Sequence, residues 1–207
     1  MSRTLVKICG LRDRAMVEVA AEAGADFVGV VLAKSSPRYV SPLIAPPLAL
    51  AAIDAGTIPV AVVRLPIDPE TRGALDAFPI VQFHGLEDAA DLRKFAKGDD
   101  NWEFWKGLHF DPAQIESFLA DGRVARLVID GPEAGSGVAF DHALFAELPA
   151  ETRRRAFLAG GLDPTNVAAA VRAARPGGVD VSSGVERERG VKDADRIRAF
   201  IDAVRSA

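Results

Sequence analysis

Residues 5–32 read LVKICGLRDRAMVEVAAEAGADFVGVVL, a short apolar run, a helical stretch and a second apolar run. Leu5–Ile8 and Phe27–Leu32 are apolar on both faces, as parallel strands covered by helices are. Arg12–Ala23 lies between them with helical character. The same unit recurs to the end of the chain. Further strands are predicted over Ile58–Val63, Ile80–Phe83, Trp102–Lys106, Ala125–Ile129, Ala156–Ala159 and Val179–Val181. Helices are predicted over Leu43–Ala55, Pro69–Ala77, Asp88–Lys97, Pro112–Ala120, Asp141–Leu148, Pro164–Ala174 and Ala194–Val204. Asp111-Pro112 and Asp163-Pro164 each put a capping carboxylate before a proline suited to the first helical turn. Ile197, Phe200, Ile201 and Val204 form an apolar stripe at helical spacing and belong to the core.

Eight strand–helix units predict an α/β fold, a (β/α)8 barrel forming a single domain over residues 1–207. A doubly wound open sheet is the rival, but it usually carries a Gly-rich turn after its first strand. Here that strand ends Lys7-Ile8-Cys9-Gly10 without one. With 207 residues the chain is near the lower size limit for such a barrel. The segment 37–47 contains four prolines and is expected to be an irregular loop, a candidate lid over the site.

Composition is that of an ordinary globular protein, 49% hydrophobic and 26% charged. A formal charge of −4 gives no support to nucleic-acid binding, and an anionic substrate would need local positive groups. One cysteine excludes an intrachain disulfide and suggests a reducing compartment. The start lacks a signal-peptide pattern, and no apolar run is long enough to span a membrane. A cytoplasmic protein without a membrane partner is expected. A monomer is the working expectation for its assembly, with a homodimer as the alternative.

In a barrel of this kind the chemistry sits at the C-terminal ends of the strands. That rule selects Lys7 and Cys9 on strand one, Arg38 after strand two, Arg64 on three, and Gln82 and His84 on four. It adds Lys106 on five, Asp130 on six, Gly160-Gly161 on seven and Ser182-Ser183-Gly184 on eight. Lys7 and Cys9 are two apart, so both side chains leave the same side of the strand. A free thiol titrates at about 8.5, and the adjacent ammonium is expected to favour the thiolate. The alternative for Cys9 is an inert buried thiol. Asp130 follows Leu127-Val128-Ile129, where partial burial is expected to raise its pKa and suit a general acid; otherwise it holds backbone amides of the next loop. Gly135-Ser136-Gly137, Gly160-Gly161 and Ser182-Ser183-Gly184 follow neighbouring strands, where backbone N–H groups commonly seat a phosphate. His84 has no partner nearby in the chain. His109 and His142 read as structural or surface residues. No grouping has metal-ligand spacing, so no metal site is expected.

Six blocks of the chain resemble the phosphoribosylanthranilate isomerase family: KICGLRD, FVGVVLAKSSPRYVSP, VQFHG, LVIDGPEAGSG, FLAGGLDPTNVAAAV and GVDVSSGVERERGVKD. They occur in order from the first strand to the last helix. The resemblance implies a cofactor-free Amadori rearrangement of a small phosphorylated substrate in tryptophan biosynthesis. It implies Cys9 as general base, Asp130 as general acid and Arg38 as holder of the anthranilate carboxylate. Lys7, Gln82 and His84 join the three small-residue clusters as substrate-binding candidates. Two departures stand out: His142 where the family typically shows tryptophan, and a Gly135-Ser136-Gly137 loop with fewer glycines and no threonine.

Three other functions compete. The histidine-pathway isomerase would need a second phosphate site and has aspartate where Cys9 stands. An aldolase would use Lys7 or Lys106 as Schiff-base nucleophile. A non-catalytic phosphosugar binder would give Cys9 and Asp130 no reason to converge.

Overall fold

The structure, a computed structural model, describes residues 3–96, 101–131 and 142–207. Eight parallel strands close into a barrel: β1 (Leu5–Cys9), β2 (Phe27–Val31), β3 (Ile58–Val63), β4 (Ile80–Phe83), β5 (Glu103–His109), β6 (Val124–Asp130), β7 (Ala156–Leu158) and β8 (Gly178–Val181). Closure is made by β8 on β1, with Lys7 opposite Asp180. The outer layer begins with α1 (Arg14–Glu22), α2 (Ala45–Asp54), α3 (Pro69–Ala74), α4 (Ala89–Phe95) and α5 (Pro112–Ala120). It continues with α6 (His142–Ala146), α7 (Ala150–Arg155), α8 (Val167–Ala174) and α9 (Ala194–Arg205).

Strand alternation divides the core in two. Val6, Ile8, Val28, Val30, Ala61, Val63, Val81 and Phe83 face outward and pack under the helices. Phe27, Val60, Val62, Ile80, Trp105, Val128 and Phe157 fill the barrel interior. Phe27, Trp105 and Phe157 meet there with ring centroids 4.9 to 5.7 Å apart, so the lower barrel is a packed plug and the open space lies above it. The stripe Ile197, Phe200, Ile201 and Val204 of α9 is buried as its spacing requires.

Helix starts follow their capping chemistry. Asp111 Oδ1 accepts from the amides of Ala113 and Gln114 at 2.9 and 3.2 Å, with Pro112 opening α5. Asp163 instead caps a turn: it accepts from the Thr165 and Asn166 amides, and α8 begins only at Val167.

Other differences from the sequence expectation have physical reasons. Strand β5 continues past Lys106 to His109, so Lys106 is an interior strand residue. Its side chain faces the helices, with Nζ 5.7 Å from the Phe118 ring centre and 3.2 Å from Glu87 Oε2. Helix α7 buries no residue and therefore carries no apolar period. After β8, β9 (Glu186–Glu188) and β10 (Val191–Lys192) form an antiparallel hairpin from a charge-rich segment. The proline-rich segment is no free lid. Tyr39 bridges to Val31, the Val40 amide donates to Val31 O at 2.8 Å, and Arg38 is ion-paired.

Candidate active site

A cavity of about 340 Å³ opens at the C-terminal ends of the strands. Cys9, Arg38, Arg64, His84, Asp130, Gly160, Gly161, Asp180, Ser182 and Ser183 all line it. The thiol on β1 and the carboxylate ending β6 thus share one space, with a guanidinium after β2 and the small-residue turns after β7 and β8. Gly160 and Gly161 both have positive φ, 82° and 68°, which gives a backbone turn that side-chain-bearing residues rarely adopt.

Three expected contacts are relocated. Lys7 and Gln82 are fully buried and lie outside the cavity lining, on the inner face of β1 and β4. Gly184 also lies outside it. A Cβ there would come 1.9 Å from Leu162 O, so the residue serves close packing of two loops. Gly135, Ser136 and Gly137 lie outside the described residues, as do Phe140 and Asp141.

Cys9 is 8% exposed. Burial pushes its thiol up, against the lowering pull of the Lys7 ammonium, and the Asp180 carboxylate adds to the rise while Lys192 opposes it. The sequence expectation of a favoured thiolate is therefore corrected: desolvation outweighs the neighbouring ammonium. Lys7 is itself tied to Asp180 at 2.8 Å, and its ammonium is raised despite burial because Asp180 and Cys9 favour the charged form. Gly29 makes the approach of these groups possible. A Cβ there would lie 2.8 Å from Cys9 Sγ and 3.2 Å from Lys7 Nζ.

Asp130 has a partner that its sequence neighbourhood conceals. His84 Nε2 stands 3.3 Å from Asp130 Oδ2, and His84 Nδ1 is 3.1 Å from Gln82 Nε2. The ring crosses β5 over Gly107, where a Cβ would come 2.3 Å from His84 Nδ1. Gln82 can turn either its nitrogen or its oxygen toward Nδ1. His84 can thus donate to an Asp130 carboxylate or accept from its acid form. Arg64 braces the same corner by donating from Nε to His84 O at 2.8 Å.

Arg38 is held by a carboxylate from the hairpin. Its Nε and Nη2 donate to Glu186 Oε1 and Oε2 at 2.6 and 2.9 Å, a bidentate pairing that fixes the guanidinium plane. Glu186 also accepts from Lys192 Nζ at 2.9 Å and the Gly190 amide at 3.0 Å. Burial alone would raise this carboxyl, but Arg38, the Gly190 amide and Lys192 together bring it down to about 2.

The geometry therefore offers a buried thiol, a carboxyl beside an imidazole, two guanidinium groups and a glycine–serine rim around one space. Among the described residues no group of three or more His, Cys, Asp or Glu side chains could hold a metal. Lys7 and Lys106, the candidate Schiff-base amines, are both sequestered by carboxylates away from the cavity lining. Residues 6–203 match the family described as N-(5'phosphoribosyl)anthranilate (PRA) isomerase. The chain belongs to that family. It is 40% identical to the N-(5'-phosphoribosyl)anthranilate isomerase of Bordetella petrii, an alignment covering 99% of this chain and 96% of the relative. The phosphoribosyl anthranilate isomerase structure from Thermus thermophilus superposes with a TM-score of 0.82 at 32% identity, covering 98% and 99% of the two chains. Another phosphoribosyl anthranilate isomerase, solved with reduced 1-(o-carboxyphenylamino)-1-deoxyribulose 5-phosphate, gives 0.79 at 30% identity over 99% and 100%.

Within the isomerase family frame, sequence reasoning missed Asp180, Glu186, Lys192 and Gly107 as parts of the site. Asp180 had a visible signal, a charge inside the apolar run Val179-Asp180-Val181. Glu186 and Lys192 lay within a block that carried the resemblance and pair with each other there, yet Arg38, the partner that ties Glu186 to the cavity, stands in the loop after β2.

Proposed function

We propose that this chain isomerises N-(5-phosphoribosyl)anthranilate to the corresponding 1-deoxyribulose 5-phosphate by an Amadori rearrangement, in the third step of tryptophan biosynthesis from chorismate. The observation that carries the assignment of roles is the shared cavity: Cys9 and Asp130 border one space large enough for a sugar and a ring. In this mechanism Asp130 protonates the furanose ring oxygen, and the ring opens to an iminium. The Cys9 thiolate removes the proton from the second sugar carbon. The resulting enolamine tautomerises to the ketone. His84 steadies Asp130 and exchanges hydrogen-bond direction as the carboxyl gains and loses its proton.

Arg38 takes the anthranilate carboxylate, since its plane is already fixed by Glu186 and part of its guanidinium borders the cavity. The turns at Gly160-Gly161 and Ser182-Ser183 take the phosphate through backbone N–H groups. Lys7 and Gln82 act from below, on Cys9 and His84. The ligand named for the solved relative carries the same two anionic ends, which supports this arrangement. Every group in the scheme comes from one chain, so the reaction in this reading needs only a monomeric single domain; its place is the cytoplasm. A relative from Thermotoga maritima is described as dimeric, and sedimentation of this protein during turnover decides between the two states.

The test is loss of fluorescence from freshly made phosphoribosylanthranilate. Cys9→Ser and Asp130→Asn should each lower kcat by about 100-fold or more while leaving the Kd for a reduced product analogue nearly unchanged. Arg38→Ala should mainly raise KM. Full turnover in Cys9→Ser removes the base assignment, and an unchanged affinity in Arg38→Ala removes the carboxylate role.

A further inference from the structure

Cys9 is bordered by charge from several elements. Lys7 of β1 is claimed by Asp180 of β8 at 2.8 Å. Lys192 of β10 donates to Ser182 O at 2.8 Å, reaches Ser182 Oγ at 3.3 Å, and is paired with Glu186 at 2.9 Å. Ser182 Oγ in turn donates to Cys9 O at 3.1 Å, so Lys192 stands one serine away from the cysteine. Glu186 is shared with Arg38. Arg64, His84 and Asp130 face the same cavity from the other strands.

The charges in this connected group do not balance when Cys9 is a thiol. Three cations, Lys7, Lys192 and Arg38, meet two carboxylates, Asp180 and Glu186. One positive charge is left over, and a thiolate at Cys9 closes the balance. The surplus falls on the side of Lys192 and Arg38, because Lys7 has a carboxylate of its own. Lys192 is only 6% exposed, so water screens its charge poorly.

We propose that Lys192 is a positioning residue for Cys9: its buried ammonium, held through Ser182, stabilises the Cys9 thiolate and so sets how much base is present. Lys192 touches no substrate in this scheme. Burial depresses the Lys192 ammonium and raises the Cys9 thiol, and each charge supports the other in the low-dielectric interior. The catalytic consequence rests on Cys9 being the base; the ionic coupling does not.

Cys9 is the single cysteine of the chain, so thiolate absorbance at about 240 nm reports it directly, with Cys9→Ser as blank. At about pH 9.5 the thiolate fraction in Lys192→Gln should be about threefold or more below that of the parent, while Lys192→Arg should stay within about twofold. Glutamine removes the charge, and with it the ion pair to Glu186, while offering an amide donor for Ser182 O. An undiminished thiolate fraction in Lys192→Gln overturns the proposal. If Lys192→Gln does not fold, reciprocity supplies the second test. Cys9→Ser should lower the Lys192 pKa, read from its 13Cε resonance, and an unmoved Lys192 titration overturns the coupling. Turnover measured on Cys9→Ser separates the two ideas, since intact turnover would end the base assignment and leave this pairing standing.

Discussion

At Cys9, burial and two buried ammonium groups pull the thiol in opposite directions, and burial wins. In its proposed role as base Cys9 must be deprotonated, and the thiolate accumulates only above the ordinary thiol range. Alkylation by iodoacetamide follows the thiolate and gives a direct check. The inactivation rate should still be climbing as pH passes about 9, and a product analogue should slow it. A plateau reached near neutral pH would mean that the lysines, not burial, dominate. The position of Cys9 at a strand end was legible from the sequence, and so was that of Asp130. The balance of charges was not. Lys7 finds Asp180 across 173 positions of chain, and Arg38 finds Glu186 across 148, distances over which no local pattern operates.

At the level of the element, β5 shows how one strand prepares a site that it does not itself supply. Gly107 leaves a gap on the inner face, and the His84 ring from β4 fills it to reach Asp130 on β6. Gly107→Ala should therefore act as a histidine mutation at a distance. Its Cβ would displace the ring and lower kcat by about tenfold with little change in KM, as His84→Ala should. The double variant should be no worse than either single, because both remove the same contact. Full additivity, or a change confined to KM, would break the proposed relay. The apolar strands were readable because parallel strands in a barrel are hydrophobic on both faces. The helix α7, with no buried face, and the hairpin β9–β10, built from Glu186-Arg187-Glu188 and Val191-Lys192, carry no such mark. Yet this hairpin brings Glu186 and Lys192 to the site, so the least legible pair of strands supplies two members of its charge network.

For the whole molecule, the seam between the first and last strands is where stability and function meet. Strand β8 pairs with β1, Arg205 of α9 donates to Thr4 O and Gly24 O, and the hairpin between them carries Glu186. Through Arg38, Lys192 and Gly190, Glu186 joins the loop after β2 to the loop after β8 across that seam. Its carboxyl is depressed from an ordinary 4.5 to about 2, so its charged form is bound more tightly in the folded chain than in the unfolded one. The resulting stabilisation is fully present above pH 4.5 and is lost as pH falls through 4.5 toward 2. Glu186→Gln should consequently lower Tm at pH 7, with a gap from the parent that narrows below pH 4.5 and nearly closes by pH 2. Asp68, which caps α3 and pairs with Lys34, also titrates down to about 2 but is common to both proteins, so it drops out of the comparison. Scanning calorimetry across that range measures the gap. A Tm difference that stays constant with pH would assign Glu186 a packing role and remove the ionic link across the seam.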